Sequence, residues 1–91
     1  MDNEVTAYVE AARNGDAVAL ARLLVSTPSV NPTLSPGGAG ERRMAEVAAA
    51  LLEGWGLATK IDEIAPGRFN VVARLEGDGP RLLLNGHLDT V

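Results

Sequence analysis

One stretch of the chain repeats apolar residues at helical spacing and limits the possible folds more than any other. Its apolar positions are Met44, Val47, Ala48, Leu51, Leu52 and Trp55. This spacing predicts an amphipathic helix whose apolar face must pack against another element. Glu41 lies in the first turn, where the helix dipole favours a negative charge, and Gly54 and Gly56 supply the end. We expect Trp55, at the end of the apolar face, to lie in the core.

The residues before this helix predict two further helices. The first has apolar residues at positions 5, 8, 9 and 12, a cap at Asp2 or Asn3, and an end at Asn14-Gly15. The second starts at Asp16, which can cap it, and buries leucines at positions 20, 23 and 24. It ends at residues 26–28, because a residue before proline is disfavoured in a helix.

Residues 26–40, between the second and third helices, predict a long irregular loop. They are rich in proline and glycine, and the helical pattern resumes directly afterwards. Because helix N-termini bind anions, Ser35-Pro36-Gly37-Gly38-Ala39-Gly40 suggests the hypothesis of a phosphate-binding loop. The lysine and the glycine spacing of such loops are absent, so we expect a mobile surface loop instead.

Three short strands are predicted after the third helix. The first covers residues 58–64 and the second residues 69–75, with a type II turn at residues 65–68 between them. A glycine-rich turn leads to the third strand at residues 81–85, and such short connections require antiparallel pairing. The predicted fold class is α/β, with helices packed on a small mixed or antiparallel sheet and a site at the open edge of the sheet.

The residues around the predicted third strand form the most distinctive motif. Leu82-Leu83-Leu84 lies between turn-forming residues and predicts a strand buried on both faces. It leads into Asn85-Gly86-His87-Leu88-Asp89, which holds the only histidine. In an extended backbone, His87 and Asp89 point to one face and Leu88 to the core. A neutral imidazole binds metals, and a nearby carboxylate can fix its tautomer or bind the metal itself.

Taken alone, this motif is open to two interpretations. Many His-x-Asp sequences are surface or capping pairs without chemistry. A catalytic zinc site takes about three ligands from protein, whereas this chain has one histidine, no cysteine and no second cluster of ligand residues. The residues present therefore do not complete a metal site by themselves.

A resemblance to a known family favours the metal interpretation. Residues 85–91, Asn-Gly-His-Leu-Asp-Thr-Val, resemble the first metal motif of the M20 family of zinc-dependent aminoacylases and exopeptidases. Residues 23–32 resemble the end of the family's N-terminal helix and its Pro-Ser-Val-Asn-Pro turn. Residues 70–73 resemble the strand that precedes the motif strand. The order and spacing of these pieces match from about Asp16 onward.

The resemblance implies the role of two residues and the reaction of a larger enzyme. In the family, the histidine at the position of His87 ligates one of two zinc ions. The sequence leaves open whether zinc or cobalt is the working metal. The aspartate at the position of Asp89 orients that imidazole, which makes Asp89 the candidate catalytic residue beside the metal ligand. The implied reaction cleaves the amide bond of an N-acyl amino acid or short peptide.

The same resemblance implies that residues 1–91 are an incomplete, N-terminal portion of a metallohydrolase catalytic domain. A bridging aspartate, a Glu-Glu pair with the general base, further ligands and a dimerising lid domain all follow the first motif in the family. We therefore expect the 91 residues to be inactive alone, and the parent can be a homodimer.

Composition limits the partners. The net charge is −4 and the basic residues are scattered, unlike the basic stripe of a nucleic-acid-binding protein. No apolar stretch approaches the length of a membrane span, and the acidic N-terminus lacks the pattern of a secretory signal. We expect a cytoplasmic protein that acts on a small molecule and binds neither nucleic acid nor membrane.

A second class of function stays open on the sequence alone. The chain can be a free-standing small α/β binding or interaction module, in which the His87–Asp89 pair caps the last strand. Such a module covers its sheet edges, whereas a fragment of an enzyme exposes apolar surface where missing strands would pack.

Overall fold

The computed structural model describes residues 9–91, which form three helices followed by an antiparallel hairpin. α1 comprises residues 9–13 of the described range, α2 is Ala17–Val25 and α3 is Arg42–Gly54. The strands are β1 (Ala58–Ala65) and β2 (Arg68–Arg74), so the predicted α/β class is confirmed. The predicted caps and first apolar positions of the opening helix, residues 2–8, lie outside the described residues. No helix within residues 9–91 has the length and apolar character needed to cross a bilayer.

α2 begins and ends where the sequence predicts. The Asp16 carboxylate accepts a hydrogen bond from the Ala19 N–H at 2.9 Å and so satisfies one free donor of the first turn. At the other end, the Ser26 and Thr27 hydroxyls donate to the Leu23 carbonyl at 2.9 and 2.8 Å. The helix therefore stops before the proline, as predicted.

α3 packs on both strands and forms most of the core. Its buried residues are Met44, Ala45, Ala49 and Leu51. Gly56 follows the helix with a φ of +90°, and its N–H donates to the Glu53 carbonyl. The Leu57 N–H donates to the Leu52 carbonyl, which completes the hydrogen-bond pattern of a glycine-terminated helix. The predicted helix and its end are confirmed.

The prediction that Trp55 lies in the core is wrong, because its side chain is 41% exposed. α3 ends at Gly54, so Trp55 is the C-cap residue. Its indole Nε1–H donates to the Arg13 carbonyl at 2.6 Å. That carbonyl lies in the last turn of α1, where helical carbonyls lack a partner within their own helix. The indole N–H therefore has a hydrogen-bond acceptor at the protein surface, and the ring stays partly exposed.

β1 and β2 form the predicted hairpin, and their bounds lie within one residue of the predictions. Ala58 pairs with Arg74 at the open end, and Ala65 pairs with Arg68 beside the turn. Gly67 has a φ of +73°, the left-handed conformation that the third residue of a type II turn requires. The turn therefore forms at the predicted Pro-Gly pair.

The predicted third strand does not form within residues 9–91, and its leucines are not buried. Leu82, Leu83 and Leu84 are 83%, 88% and 84% exposed. A strand with apolar side chains on both faces needs a neighbouring strand and a covering layer on each side. The described residues offer only a two-stranded sheet with α3 packed on it. They do not supply the second layer that would bury the leucines.

Candidate functional site

Two backbone hydrogen bonds hold the His87–Asp89 motif beside the loop that follows α2. The Thr90 N–H donates to the Ser29 carbonyl at 2.9 Å, and the Asn31 N–H donates to the Thr90 carbonyl at 2.8 Å. Together they form a parallel bridge. The motif is thereby fixed against a segment that is far away in the sequence.

The structure brings His87 and Asp89 into contact. His87 Nδ1 lies 3.3 Å from Asp89 Oδ1 and 2.8 Å from the main-chain carbonyl oxygen of Asp89. Both partners are acceptors, so this geometry places a proton on Nδ1 and, in the neutral ring, leaves the lone pair on Nε2. The imidazole is 84% exposed and the carboxylate 28% exposed. Leu88, which the extended backbone was expected to turn into the core, is only half-buried.

Asn31 holds Asp89 on the side away from His87. Its Nδ2 donates to Asp89 Oδ2 at 2.8 Å. This hydrogen bond is the main reason why the pKa of Asp89 is lowered; partial burial acts in the opposite direction, and the charge of His87 adds a smaller lowering. Arg68 Nη2 lies further from the same oxygen, at 3.9 Å. The surroundings of Asp89 thus favour its ionised form.

Arg68 is fixed by a buried carboxylate at the start of α3. Glu41 is 3% exposed, and its oxygens accept from Arg68 Nε at 2.9 and 3.0 Å. Arg68 Nη2 lies 2.7 Å from Glu41 Oε1, and the Phe69 N–H donates to Oε2 at 3.3 Å. The hydrogen bonds with Arg68 lower the pKa of Glu41 against the effect of burial, and they raise the pKa of Arg68. A buried carboxylate needs such a partner, so the pair ties α3 to β2.

These residues meet in one cleft between β2 and the motif, with a volume of about 340 Å³. Its lining includes Glu41, Arg68, Asn70, His87 and Asp89. The sequence pointed to His87 and Asp89, and it placed Asn31 in a family-like turn without giving it a role. It gave no signal for the pairing of Arg68 with Glu41, which are 27 positions apart.

The described residues do not form a complete metal site on their own. Within residues 9–91, no three His, Cys, Asp or Glu side chains are grouped closely enough to hold a metal ion. His87 suits the role of one zinc ligand, because its ring is exposed and its Nε2 carries the lone pair. Asp89 suits the role of the carboxylate that orients a metal-binding histidine. The described part of the chain does not provide the further ligands.

The glycine-rich loop before α3 is packed at its end rather than open to anions. The Gly38 N–H donates to the Ser35 carbonyl at 2.9 Å and the Gly40 N–H to the Val30 carbonyl at 3.0 Å. Gly40 is buried and so close to Gly67 that an added Cβ would lie 2.7 Å from the Gly67 carbonyl oxygen. The prediction of a surface loop is therefore wrong at Gly40. Because these N–H groups bond to the backbone, they are not available to bind a phosphate.

Comparison with curated proteins finds acetylornithine deacetylases. The chain is 38% identical over 69 residues to that of Vibrio campbellii and 37% identical over 68 residues to that of Aliivibrio salmonicida. It is 34% identical over 68 residues to that of Vibrio cholerae. No family model matches the chain, and no solved structure matches it.

Each of these matches covers 75% of this chain and 18% of the relative. The chain therefore spans about 18% of the length of these curated relatives. Over 75% of its own length, the chain is thus similar to proteins named acetylornithine deacetylase, of the M20 family, which is consistent with a fragment of such an enzyme.

Proposed function

We propose that the chain is the part of a zinc-dependent amide hydrolase that carries its first metal ligand. His87 is the ligand through Nε2, and Asp89 orients the ring through Nδ1. The observation that carries the proposal is the 3.3 Å contact between His87 Nδ1 and Asp89 Oδ1. A carboxylate paired with a metal-binding histidine in this way fixes the tautomer and raises the basicity of the ligand.

The proposed reaction is hydrolysis of the amide bond of an N-acyl amino acid or a short peptide. The names of the relatives make acetylornithine the first substrate to test. The chemistry that bound zinc supplies in such a site is polarisation of the carbonyl and activation of a water molecule. The residues of this chain hold and orient one ligand. The general base and the further ligands belong to other parts of the complete protein.

The proposal also includes the substrate class, the compartment, the metal and the assembly of the enzyme. The substrate is a small molecule, and the net charge of −4 disfavours a nucleic-acid partner. A chain without cysteine is compatible with a reducing compartment, and we place the enzyme in the cytoplasm. Zinc is the proposed metal and cobalt the alternative to compare with it. A homodimer is the assembly to test in the complete protein.

The exposed leucines support an enzyme fragment over a free-standing binding module. Leu82, Leu83 and Leu84 are all more than four-fifths exposed, immediately before the motif. Further strands of a larger catalytic domain would cover such a run, whereas a self-contained module would have to cover it with its own residues. Amide hydrogen exchange of the 91 residues separates the two hypotheses. Slow exchange at these leucines would favour the module, and fast exchange would favour the fragment.

The decisive assay uses the protein encoded by the complete reading frame. We expect release of acetate from acetylornithine, or of the acyl group from another N-acyl amino acid, which stops on chelation and returns with zinc or cobalt. His87→Ala should abolish this release. Asp89→Asn should lower kcat/KM by about 10–100-fold, the usual effect of losing the partner of a metal-bound histidine. Asp78→Asn, in an exposed turn, is the matched control and should be fully active.

Two results would contradict the proposal. Full metal-dependent activity of the His87→Ala protein would show that this histidine is not a ligand. The proposal requires metal ligands from other parts of the complete protein. Acyl release by the isolated 91 residues would show that such ligands are not needed.

A further inference from the structure

Both ends of the Asn31 side-chain amide are hydrogen-bonded. Oδ1 accepts from the Thr33 N–H at 2.9 Å, and Nδ2 donates to Asp89 Oδ2 at 2.8 Å. The backbone N–H of Asn31 donates to the Thr90 carbonyl at 2.8 Å. Because the Thr33 N–H requires an oxygen opposite it, the amide cannot be reversed, and its NH₂ group must face the carboxylate.

We propose that Asn31 is a positioning residue: it holds Asp89 in the orientation that keeps the His87 proton on Nδ1. The inference rests on the proposed function, in which His87 binds zinc through Nε2. Asn31 comes from a different segment of the chain. It acts on the proposed metal ligand, His87, through Asp89 and touches neither that ligand nor a substrate.

The geometry explains why Asp89 needs such a partner. The terminal torsion of an aspartate side chain is soft, so a carboxylate bonded through one oxygen turns readily. Asn31 fixes Oδ2 and leaves Oδ1 at 3.3 Å from His87 Nδ1, where it adds a second acceptor to the main-chain carbonyl oxygen of Asp89 at 2.8 Å. The backbone bridge through Thr90 holds the neighbouring peptide in place at the same time. Asn31 therefore contributes to both constraints.

Arg68 also lies near Asp89 but is less suited to this role. Its Nη2 lies 3.9 Å from Asp89 Oδ2, which is beyond hydrogen-bond distance. The guanidinium is already bound to Glu41 at 2.7–3.0 Å. Asn31 is thus the side chain that directly sets the orientation of the carboxylate.

The consequence is a choice of tautomer. With the proton on Nδ1, the Nε2 atom of His87 offers a lone pair to a metal without rearrangement. With the proton on Nε2, the ring must exchange that proton before it can bind. A residue that stabilises the first form therefore prepares the ligand before the metal arrives.

The test is nitrogen-15 NMR of the imidazole in the metal-free 91-residue chain, where His87 is the single histidine. Spectra are recorded at alkaline pH, so that the neutral tautomers are compared. In the wild-type chain the Nδ1–H form should dominate. Asn31→Asp keeps an acceptor for Thr33 but removes the donor to Asp89. It should lower the ratio of Nδ1–H to Nε2–H by up to about fivefold, the effect of losing one net hydrogen bond from Nδ1 to the carboxylate, because the main-chain carbonyl of Asp89 remains as an acceptor.

Two further variants make the result specific. Asn31→Ala removes the same donor without adding a charge and should shift the ratio in the same direction; it decides the question if Asn31→Asp does not fold. Asn70→Asp adds the same charge at another position of the cleft and should leave the ratio unchanged. The amide spectrum of the β1–β2 hairpin checks the fold of each variant. An unchanged ratio in the folded Asn31 variants, or an equal shift in Asn70→Asp, would overturn the proposal.

Failure of this inference and failure of the proposed function give different results. A tautomer shift in the Asn31 variants, with no metal-dependent hydrolysis by the complete protein, would support the role of Asn31 and overturn the function. Metal-dependent hydrolysis that needs His87, with no tautomer shift in the Asn31 variants, would support the function and overturn the role of Asn31.

Discussion

The side-chain amide of Asn31 donates to the Asp89 carboxylate at 2.8 Å, and this contact joins parts of the chain that are 58 positions apart. Asn31 lies in the Pro-Ser-Val-Asn-Pro turn after α2, and Asp89 lies in the motif with His87. Each of these stretches resembles the M20 family on its own, and in the folded chain they meet. A third stretch that resembles the family includes residues 70–72, which line the cleft between β2 and the motif. The three resemblances therefore describe one region of the molecule.

Removing the charge of Glu41 should destabilise the fold. Glu41→Gln keeps the size of the side chain but loses the ion pair at a position that is almost closed to solvent. We expect the free energy of unfolding to fall by about 1.5–3 kcal/mol, the range for hydrogen bonds to charged groups. Urea unfolding followed by Trp55 fluorescence measures the change. Glu46→Gln, which breaks an exposed ion pair with Arg43, is the control, and an equal loss there would contradict the prediction.

The stabilising effect of Glu41 should depend on pH. The hydrogen bond from Arg68 lowers the pKa of Glu41 from its ordinary value of 4.5 in the folded chain. The unfolded chain therefore binds the proton first as the pH falls. The contribution is complete above about pH 4.5 and is lost as the pH falls through the lower, folded-state pKa.

The same urea experiment, repeated at several pH values, checks this expectation. The difference between wild type and Glu41→Gln should be largest near neutral pH and should shrink at acid pH. Asp89 also has a lowered pKa and acts in the same direction, but it is present in both proteins and cancels in the comparison. A difference that stays constant down to strongly acid pH would show that Glu41 is not responsible.

Local signals in the sequence predicted α2, α3 and the hairpin well. Asp16 caps α2 and the Pro-Gly turn joins β1 to β2, because the conformations of caps and tight turns depend mainly on the residues within them. Trp55 was misplaced because its exposure depends on where α3 ends and on the free carbonyl of Arg13. The periodicity of the apolar residues predicts neither of these two features.

Long-range contacts account for the rest of what the sequence did not predict. The pairing of Glu41 with Arg68 and of Asn31 with Asp89 depends on how the elements pack, and no local pattern marks either pair. The leucines at 82–84 have the composition of a buried strand, but burial also requires neighbours on both faces. Residues 9–91 do not provide these neighbours, so the leucines are exposed although their sequence is typical of a buried strand.

Removing the hydroxyl of Ser29 should not destabilise the chain. Ser29 is 2% exposed, and its Oγ has no hydrogen-bond partner among residues 9–91. Ser29→Ala removes this unsatisfied group, so the free energy of unfolding should stay constant or rise by up to about 1 kcal/mol. Thr27→Val removes a hydroxyl that donates to the Leu23 carbonyl at 2.8 Å, and it should cost about 1 kcal/mol. Thermal unfolding of both variants measures these changes. Equal losses of stability in the two variants would contradict the prediction.

A side chain at Gly40 should be tolerated less well than one at Gly37. Both residues have positive φ, +73° and +86°, so alanine brings a similar backbone cost of about 1–2 kcal/mol at either position. At Gly40 the new Cβ would also lie 2.7 Å from the Gly67 carbonyl oxygen, whereas at Gly37 nothing lies within 4 Å. We expect Gly40→Ala to lose about 1–3 kcal/mol more than Gly37→Ala in urea unfolding. Equal losses would show that contact with the hairpin turn adds nothing.

The exposed leucines should make the isolated 91-residue chain associate with itself. Leu82, Leu83 and Leu84 form a continuous apolar run on a segment that is not paired in a sheet, and such segments bind other chains readily. Leu83→Lys places a charge in the middle of the run and should lower the average mass in sedimentation equilibrium. Leu75→Lys, at a leucine that is 76% exposed but outside the run, should have a much smaller effect. Equal effects of the two substitutions, or a wild-type chain that stays monomeric as its concentration rises, would show that this run does not drive association.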